Sequence, residues 1–471
     1  MTKTCRYIVL TFALLGLTPG FSYAAEVHWT GNAGHPKWAD PRNWDAEIRP
    51  GDTLVFNGTG YYVQNDFPPG SLQLEGLIFK GYKWIVAGNR IQLGRKGVTL
   101  SRLPGGGRVT VALDIEIAHP QTVFSSDGHL QRLTITGRVS GEGGISSVGK
   151  RQNVTFTNPA GSFQGDVYRL QTDRFAFQSI ANRGQPSALG SGSVVSGNTN
   201  ASLPSVLAYE GFDKAETDRE IHLQGATLAN ESILKQPLVL NGPVYLARAG
   251  SFSGAEIRLR SGVFEKSENK GPAHLAVNHG VLTLDSQSTH SGNTVVKNGV
   301  FRLTSRASIN MSPQIILVGS MNTLHPDALD VSQCDQPFII TTSQTLSGRN
   351  AAAVRGNLAV KGTLQVGEET RLDSFVFRNT LRLEGTTVIR VNPKDGTSDL
   401  LHVEERIQCG GILNVKVHGP NAFTAGQEFK LWTAPRCEGR FSEIKLPDLS
   451  GNNLAWDNSR LYSDGVLTIG N

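Results

Sequence analysis

The sequence predicts an all-β chain wound as a right-handed parallel β-helix, a solenoid with N- and C-terminal caps. Three observations lead there. Short runs of alternating apolar and polar residues recur along nearly the whole chain, punctuated by Gly, Asn and Pro. The composition counts 53 glycines and 18% charged residues, with abundant Val, Thr, Ser and Asn and no amphipathic helix of any length. Finally, residues 282–303 hold two similar strands, Leu282-Thr-Leu-Asp285 and Val300-Phe-Arg-Leu303, about twenty residues apart, the length of one solenoid coil. Leu282 and Leu284 share one face while Thr283 and Asp285 take the other, and Phe301 and Leu303 repeat the pattern around Arg302. One such coil cannot bury its apolar face alone and must stack on another.

In chain order, residues 1–24 read as a secretory signal peptide. Lys3 and Arg6 precede the apolar run 8–17, and the small, polar exit Ser22-Tyr-Ala24 places cleavage after Ala24. The run is too short for a bilayer that needs ~20 apolar residues, and no later stretch resembles a transmembrane helix. The expected address is secreted, cell-surface or periplasmic. With Lys3 and Arg6 removed, 43 basic residues face 40 acidic ones, a balance too mild to argue for nucleic acid. Cys5 leaves with the leader, so the mature chain keeps Cys334, Cys409 and Cys437. Three thiols cannot all pair internally; Cys409 with Cys437 is the one candidate pair, and no CxxC or zinc spacing occurs.

Residues 25–70 carry Trp29, Trp38 and Trp44 and then Pro50-Gly-Asp-Thr-Leu-Val-Phe56. They are expected to cap the open end of the first coil; the competing reading is an aromatic platform for sugar rings. Residues 71–398 are expected to form the β-helix proper. Strand signals follow at short intervals: LQLEGLIF, KWIVAG, IQLG, VTLS, VTVALDIEI and LTITGRVSG. Residues 153–170 read as a degraded copy of 282–303, with Val154-Thr-Phe156 matching Leu282-Thr-Leu284 and Gly165 matching Gly292 with a one-residue slip. Residues 180–192 read as a turn-rich spacer, and 266–271 as a loop leaving the coil. A third echo runs through 358–366, 381–389 and 400–403. Such divergent strand–turn–strand units suit a β-helix better than a propeller, whose signature recurs every ~40–45 residues. In residues 399–471 large aromatics return with Phe429, Trp432, Phe441 and Trp456, and Ser463-Asp-Gly465 reads as a hairpin turn. That segment is expected to form final coils or a small antiparallel module.

These residues resemble the passenger-like proteins with autotransporter-associated β-strand repeats, common among large secreted proteins of environmental bacteria. Gly262-Val-Phe-Glu-Lys266 is similar to the start of that repeat, Leu282-Thr-Leu284 to its middle, and Ser291-Gly-Asn-Thr-Val-Val296 with Gly299-Val-Phe301 to its end. The N-terminal tryptophans with Pro50-Gly-Asp-Thr-Leu-Val-Phe56 resemble one terminus of such proteins. Asp399, Leu401, Val403, Gly410, Gly411, Leu413, Val415, Gly426, Phe429, Gly439, Phe441, Leu446, Pro447, Trp456 and Gly465 resemble the other. The resemblance covers most of the mature chain and is most specific at its C-terminal part. It implies the fold and a surface location, and it brings no catalytic residue. Two departures stand out. Thr289-His290 occupies the place of an Asn-Thr-Tyr, and no series of ~10-residue alternating barrel strands follows. Export by the signal peptide, rather than self-translocation, is therefore expected.

Parallel β-helices also host polysaccharide lyases and hydrolases, whose chemistry needs convergent carboxylates. Asp327 and Asp330 have an odd spacing that puts them on opposite faces of a strand. Asp395 and Asp399, flanked by Asn392-Pro393, read as turn chemistry. No acidic cluster suits calcium. His274 and His279 have odd spacing and make no metal site. Gly105-Gly-Gly107 precedes a strand, not a helix, so it is no phosphate cradle. Glu404-Glu-Arg406 reads as a solvated strand edge. Arg248, Arg258, Arg260, Arg302 and Arg306 alternate with apolar residues; lined up on one face they would bind acidic glycans, and otherwise they are ordinary snorkelling charges.

The sequence thus commits to no catalytic, cofactor-binding or metal-binding residue. It points to a secreted or cell-surface β-solenoid with a non-enzymatic structural, adhesive or glycan-contacting role. The alternative is a carbohydrate-active β-helix enzyme, a polysaccharide lyase or glycoside hydrolase; a third reading is a purely architectural envelope component. Expected partners are extracellular polysaccharide or cell-envelope components, not nucleic acid.

Overall fold

Residues 282–303 fold as their alternation requires. The eleven-residue strands His274–Leu284 and Thr294–Thr304 lie side by side and parallel, with Leu282 opposite Phe301 and Leu284 opposite Leu303. The two short strands read from the sequence are the second halves of these longer ones. Between the halves the chain turns a corner at Gly280, which faces Gly299 and has φ +79°. A Cβ there would run into the Gly254 carbonyl oxygen, so the corner requires glycine.

The same step repeats through a parallel β-solenoid of about 16 turns. The computed structural model describes residues 24–101, 106–126, 131–148, 152–171, 173–198, 205–266, 271–319, 327–449 and 453–471. The expected signal peptide lies outside them except for Ala24, as do residues 267–270 of the expected loop and Gly105 of the glycine turn. One face is a continuous parallel stack from Tyr62–Asn65 to Glu443–Lys445. A second runs from Glu26–Trp29 to Val263–Glu265, and after the bridges Val263–Ser288 and Gln287–Ser308 a third stack, Phe338–Ile340 to Cys437–Gly439, takes over. Another face stacks from Ala215–Thr217 to Trp432–Thr433.

Burial follows register. Val154, Phe175, Leu207, Leu228, Phe252, Val277 and Val296 are successive partners across seven coils. None is more than 1% exposed. Each such side chain contributes roughly 1.5–3 kcal/mol through burial, so the column is a continuous internal support over those coils. It also corrects the repeat alignment, because the ladder carries Val154 onto Val277 and not onto Leu282. The degraded copy is real as a strand but sits on the neighbouring face of the coil.

The expected spacer 180–192 is also corrected. Ala188 and Leu189 are buried there, and the fully buried Arg219 donates to the Leu189 carbonyl at 2.8 Å and to the Gly190 carbonyl. This is a loop folded onto the core, and burial lowers the Arg219 guanidinium to about 10.

The ends are aromatic. Trp38 and Trp44 are buried, in edge contact at 5.9 Å, and both pack on Phe56, which stacks on Phe79 at 5.0 Å. Trp29 closes over Trp44 at 5.0 Å. These rings face the core of the first coils, which leaves no stacked indole platform for sugars. At the other end the last parallel coil reaches Glu443–Lys445, and an antiparallel sheet of Glu428–Lys430, Val466–Gly470 and Ala455–Asp457 is added to it. Both expectations for residues 399–471 are therefore present together. Ser463-Asp-Gly465 is not a hairpin turn: residues Leu461–Asp464 form one helical turn, ended by Gly465 at φ 69°.

Candidate functional site

The carboxylates weighed as catalytic do not converge. Asp327 pairs with Arg378 at 3.1 Å, and Arg378 also holds Glu404. Asp330, nearly buried, accepts from Arg302 at 3.0 Å and from Ser332. Burial raises the Asp330 carboxyl, but those hydrogen bonds outweigh it and the net direction is down. A register shift between Asp327 and Leu329 breaks the strand's simple alternation. Asp395 closes its turn on the Thr397 amide at 3.0 Å and on Asn392. Asp399 is fully buried and holds Arg390 by two bonds of 2.8 and 2.9 Å while accepting the Arg390 and Asp373 amides. The turn reading is correct for Asp395 and wrong for Asp399, whose role is internal.

His274 accepts the Asn293 amide at 3.0 Å, and His279 is exposed with φ 65°. Among the described residues no group of His, Cys, Asp and Glu could hold a metal ion, and no helix is long and apolar enough to cross a membrane. Glu404 and Glu405 are exposed, and Arg406 meets Glu438 at 3.5 Å.

The arginine set divides. Arg258 and Arg302 share one outward column, with Thr283 between them. Arg258 is held by Asp285, and Arg302 by Asp330 and Glu256. Arg260 meets Glu216 at 3.2 Å. These charges are neutralised across coils. Arg248 and Arg306 are exposed at turns and line no common face.

A second basic column lies elsewhere, on the N-terminal third of the stack that begins at Tyr62–Asn65. Trp84, Val109 and Leu133 point inward and are at most 4% exposed. The residue just before each of them, Lys83, Arg108 and Arg132, is exposed. Arg108 and Arg132 are direct register partners, and Asn153 and Arg174 continue the column. Arg174 is tied to Glu210 and Glu231. Among the described residues, no carboxylate comes within the 4.0 Å of an ion pair to Lys83, Arg108 or Arg132. The three line an open groove of about 770 Å³ together with Ile85, Thr110 and Asn153. Gly106 and Gly107 form its rim, so the glycine turn serves the groove rather than a helix end.

Beside the basic column runs a second outward column of Tyr62, Ile85, Thr110, Thr134 and Thr155. Tyr62 is 47% exposed and its neighbour Tyr61 76%. The exposed rings beside this column are thus tyrosines, not the tryptophans weighed as a sugar platform. The sequence carried a signal for the basic column: Lys83-Trp-Ile-Val86, Arg108-Val-Thr-Val111, Arg132-Leu-Thr-Ile135 and Arg174-Phe-Ala-Phe177 share a cation before an inward–outward–inward triplet. Comparison with known proteins returns no matching family model, no matching curated protein and no matching solved structure.

Cys409 and Cys437 lie in adjacent coils with their sulfurs 3.5 Å apart, unbonded. Their shared hydrogen bond raises the Cys409 thiol and lowers the Cys437 thiol. Oxidised glutathione is expected to join them: two thiol protons and two electrons pass to glutathione, leaving one protein disulfide and two reduced glutathiones. Thiol titration of denatured protein covering residues 25–471 should then fall from three groups to one. Closing a 28-residue separation should add roughly 3–4 kcal/mol. Three titratable thiols after equilibration would contradict the expectation.

Proposed function

We propose that this chain is an exported, non-enzymatic solenoid that presents a long, rigid face for adhesion or glycan contact outside the cytoplasm. The observation that carries the reading is the in-register stacking of outward hydroxyl and charged columns on an uninterrupted parallel core. Such a core holds side chains at the ~4.8 Å strand spacing over many coils, and repetitive surfaces suit repetitive ligands. The resemblance to passenger-like proteins with autotransporter-associated repeats supports the surface location. The leader read in residues 1–24 supports export.

The test is co-sedimentation of residues 25–471 with insoluble neutral and acidic polysaccharides and with isolated bacterial envelopes. The protein is expected to pellet with at least one of them above a bovine albumin control. Protein that stays in the supernatant throughout would remove the glycan and adhesive roles together.

A further inference from the structure

We infer that the groove lined by Lys83, Arg108 and Arg132 is a binding site for an acidic linear polysaccharide, an inference that rests on the glycan-contact reading above. Like charges directly opposite one another on neighbouring strands repel and lower stability. Elsewhere on this molecule outward arginines in the stacks meet acids from the next coils, as Arg258 does with Asp285, Arg302 with Asp330 and Arg174 with Glu231. The solenoid therefore has ready means of neutralising a stacked arginine. At Arg108 and Arg132, direct partners in adjacent coils, no carboxylate among the described residues does so. Nearby arginines are paired, Arg90 with Glu116 and Arg138 with Asp114. Among the described residues, Lys83, Arg108 and Arg132 thus gather in one groove with no acid paired to any of them.

Geometry then selects the ligand. Successive coils present one cation each, at the ~4.8 Å spacing of neighbouring strands. A linear polysaccharide bearing a carboxylate or sulfate on its sugars offers anions at a comparable repeat. The neighbouring column offers Thr110 and Thr134 hydroxyls to sugar hydroxyls, and the exposed Tyr62 with Ile85 gives the apolar faces of sugar rings a surface. Single-stranded nucleic acid would call for a run of aromatic rings along the cations to stack successive bases. Here the rings sit at one end, and threonines line the rest.

The experiment titrates full mature protein with polygalacturonate and with dextran sulfate, using single-stranded DNA as a third arm, at low and high salt. Two triple variants are compared with wild type. K83Q/R108Q/R132Q removes the groove charges. R248Q/R306Q/R355Q removes the same charge from exposed arginines elsewhere on the solenoid. Wild type should bind at least one of the two polysaccharides, more weakly at high salt. The groove variant should lose tenfold or more in affinity and show a shallower salt dependence, and the control variant should change less than threefold. The groove variant should melt no lower than wild type, since a repelling column has been relieved. Equal losses in both variants would reduce the effect to net charge and overturn the site. Tighter binding of DNA than of either polysaccharide would overturn the ligand class. No polysaccharide binding, alongside pelleting on neutral glycans or envelopes, would overturn this inference while leaving the broader reading intact.

Discussion

Asp399→Ala is expected to lower unfolding stability by about 3–5 kcal/mol, a large loss for a single side chain. Arg390 is 6% exposed and its guanidinium is held chiefly by Asp399, with further bonds to the Val366 and Arg371 carbonyls at 3.1 and 2.7 Å, while Nη1 has no partner among the described residues. Removing the carboxylate strands a buried cation and also orphans the Arg390 and Asp373 amides that it accepts. Asp399→Asn should fall between wild type and alanine. A double variant, Arg390→Met with Asp399→Leu, should regain part of the loss, because replacing both members of a buried pair by apolar groups is often near neutral. Urea midpoints together with proteolysis of the C-terminal coils give the readout. A loss under about 1 kcal/mol for Asp399→Ala would show that the coils tolerate an unpaired Arg390.

The second large effect is on pH. His290 is fully buried, with Nδ1 2.6 Å from Ser288 Oγ and Nε2 2.8 Å from Thr294 Oγ1, which in turn donates to Ser312 at 3.0 Å. Burial lowers its pKa to about 4; Glu265 opposes that direction and His274 adds to it. A histidine whose folded pKa lies below its unfolded value of ~6.5 favours the fold only while it is neutral. Its contribution is complete above pH ~6.5 and is lost as pH falls through the window down to about 4. The loss approaches roughly 3 kcal/mol at the bottom of that window. His290→Gln keeps a polar side chain and does not titrate. Its urea midpoint should be lower than wild type at pH 7.5 but should fall less between pH 7 and pH 4.5. Parallel pH dependences in the two proteins would assign the acid sensitivity to carboxylates instead.

Much of the architecture was legible because a solenoid writes itself locally. The spacing of Leu282 and Phe301 equals one coil, so the register that pairs them follows from counting residues. Cross-coil chemistry was less legible, because it depends on loop lengths that differ from coil to coil. Arg258 and Asp285 are neighbours, yet nothing in their separation distinguishes them from a chance pair. For that reason the arginines weighed from alternation proved mostly paired, and the column at Lys83, Arg108 and Arg132, unpaired among the described residues, was missed. Face assignment failed for the same reason at Val154. Asp399 looked like a turn residue because it follows a real turn, and only the buried Arg390 reveals its role. Ser463-Asp-Gly465 misled because a glycine at positive φ ends a helical turn as readily as it makes a hairpin.

On this reading the solenoid holds an acidic polysaccharide without altering it. The most direct measurement is the chain-length distribution of polygalacturonate and dextran sulfate after long incubation with residues 25–471, taken under conditions where binding is verified. Distributions identical to those without protein are expected, with no new reducing ends or unsaturated sugars. Shortened chains that persist in K83Q/R108Q/R132Q but vanish on substitution of a carboxylate would contradict it and establish a carbohydrate-active enzyme on this fold.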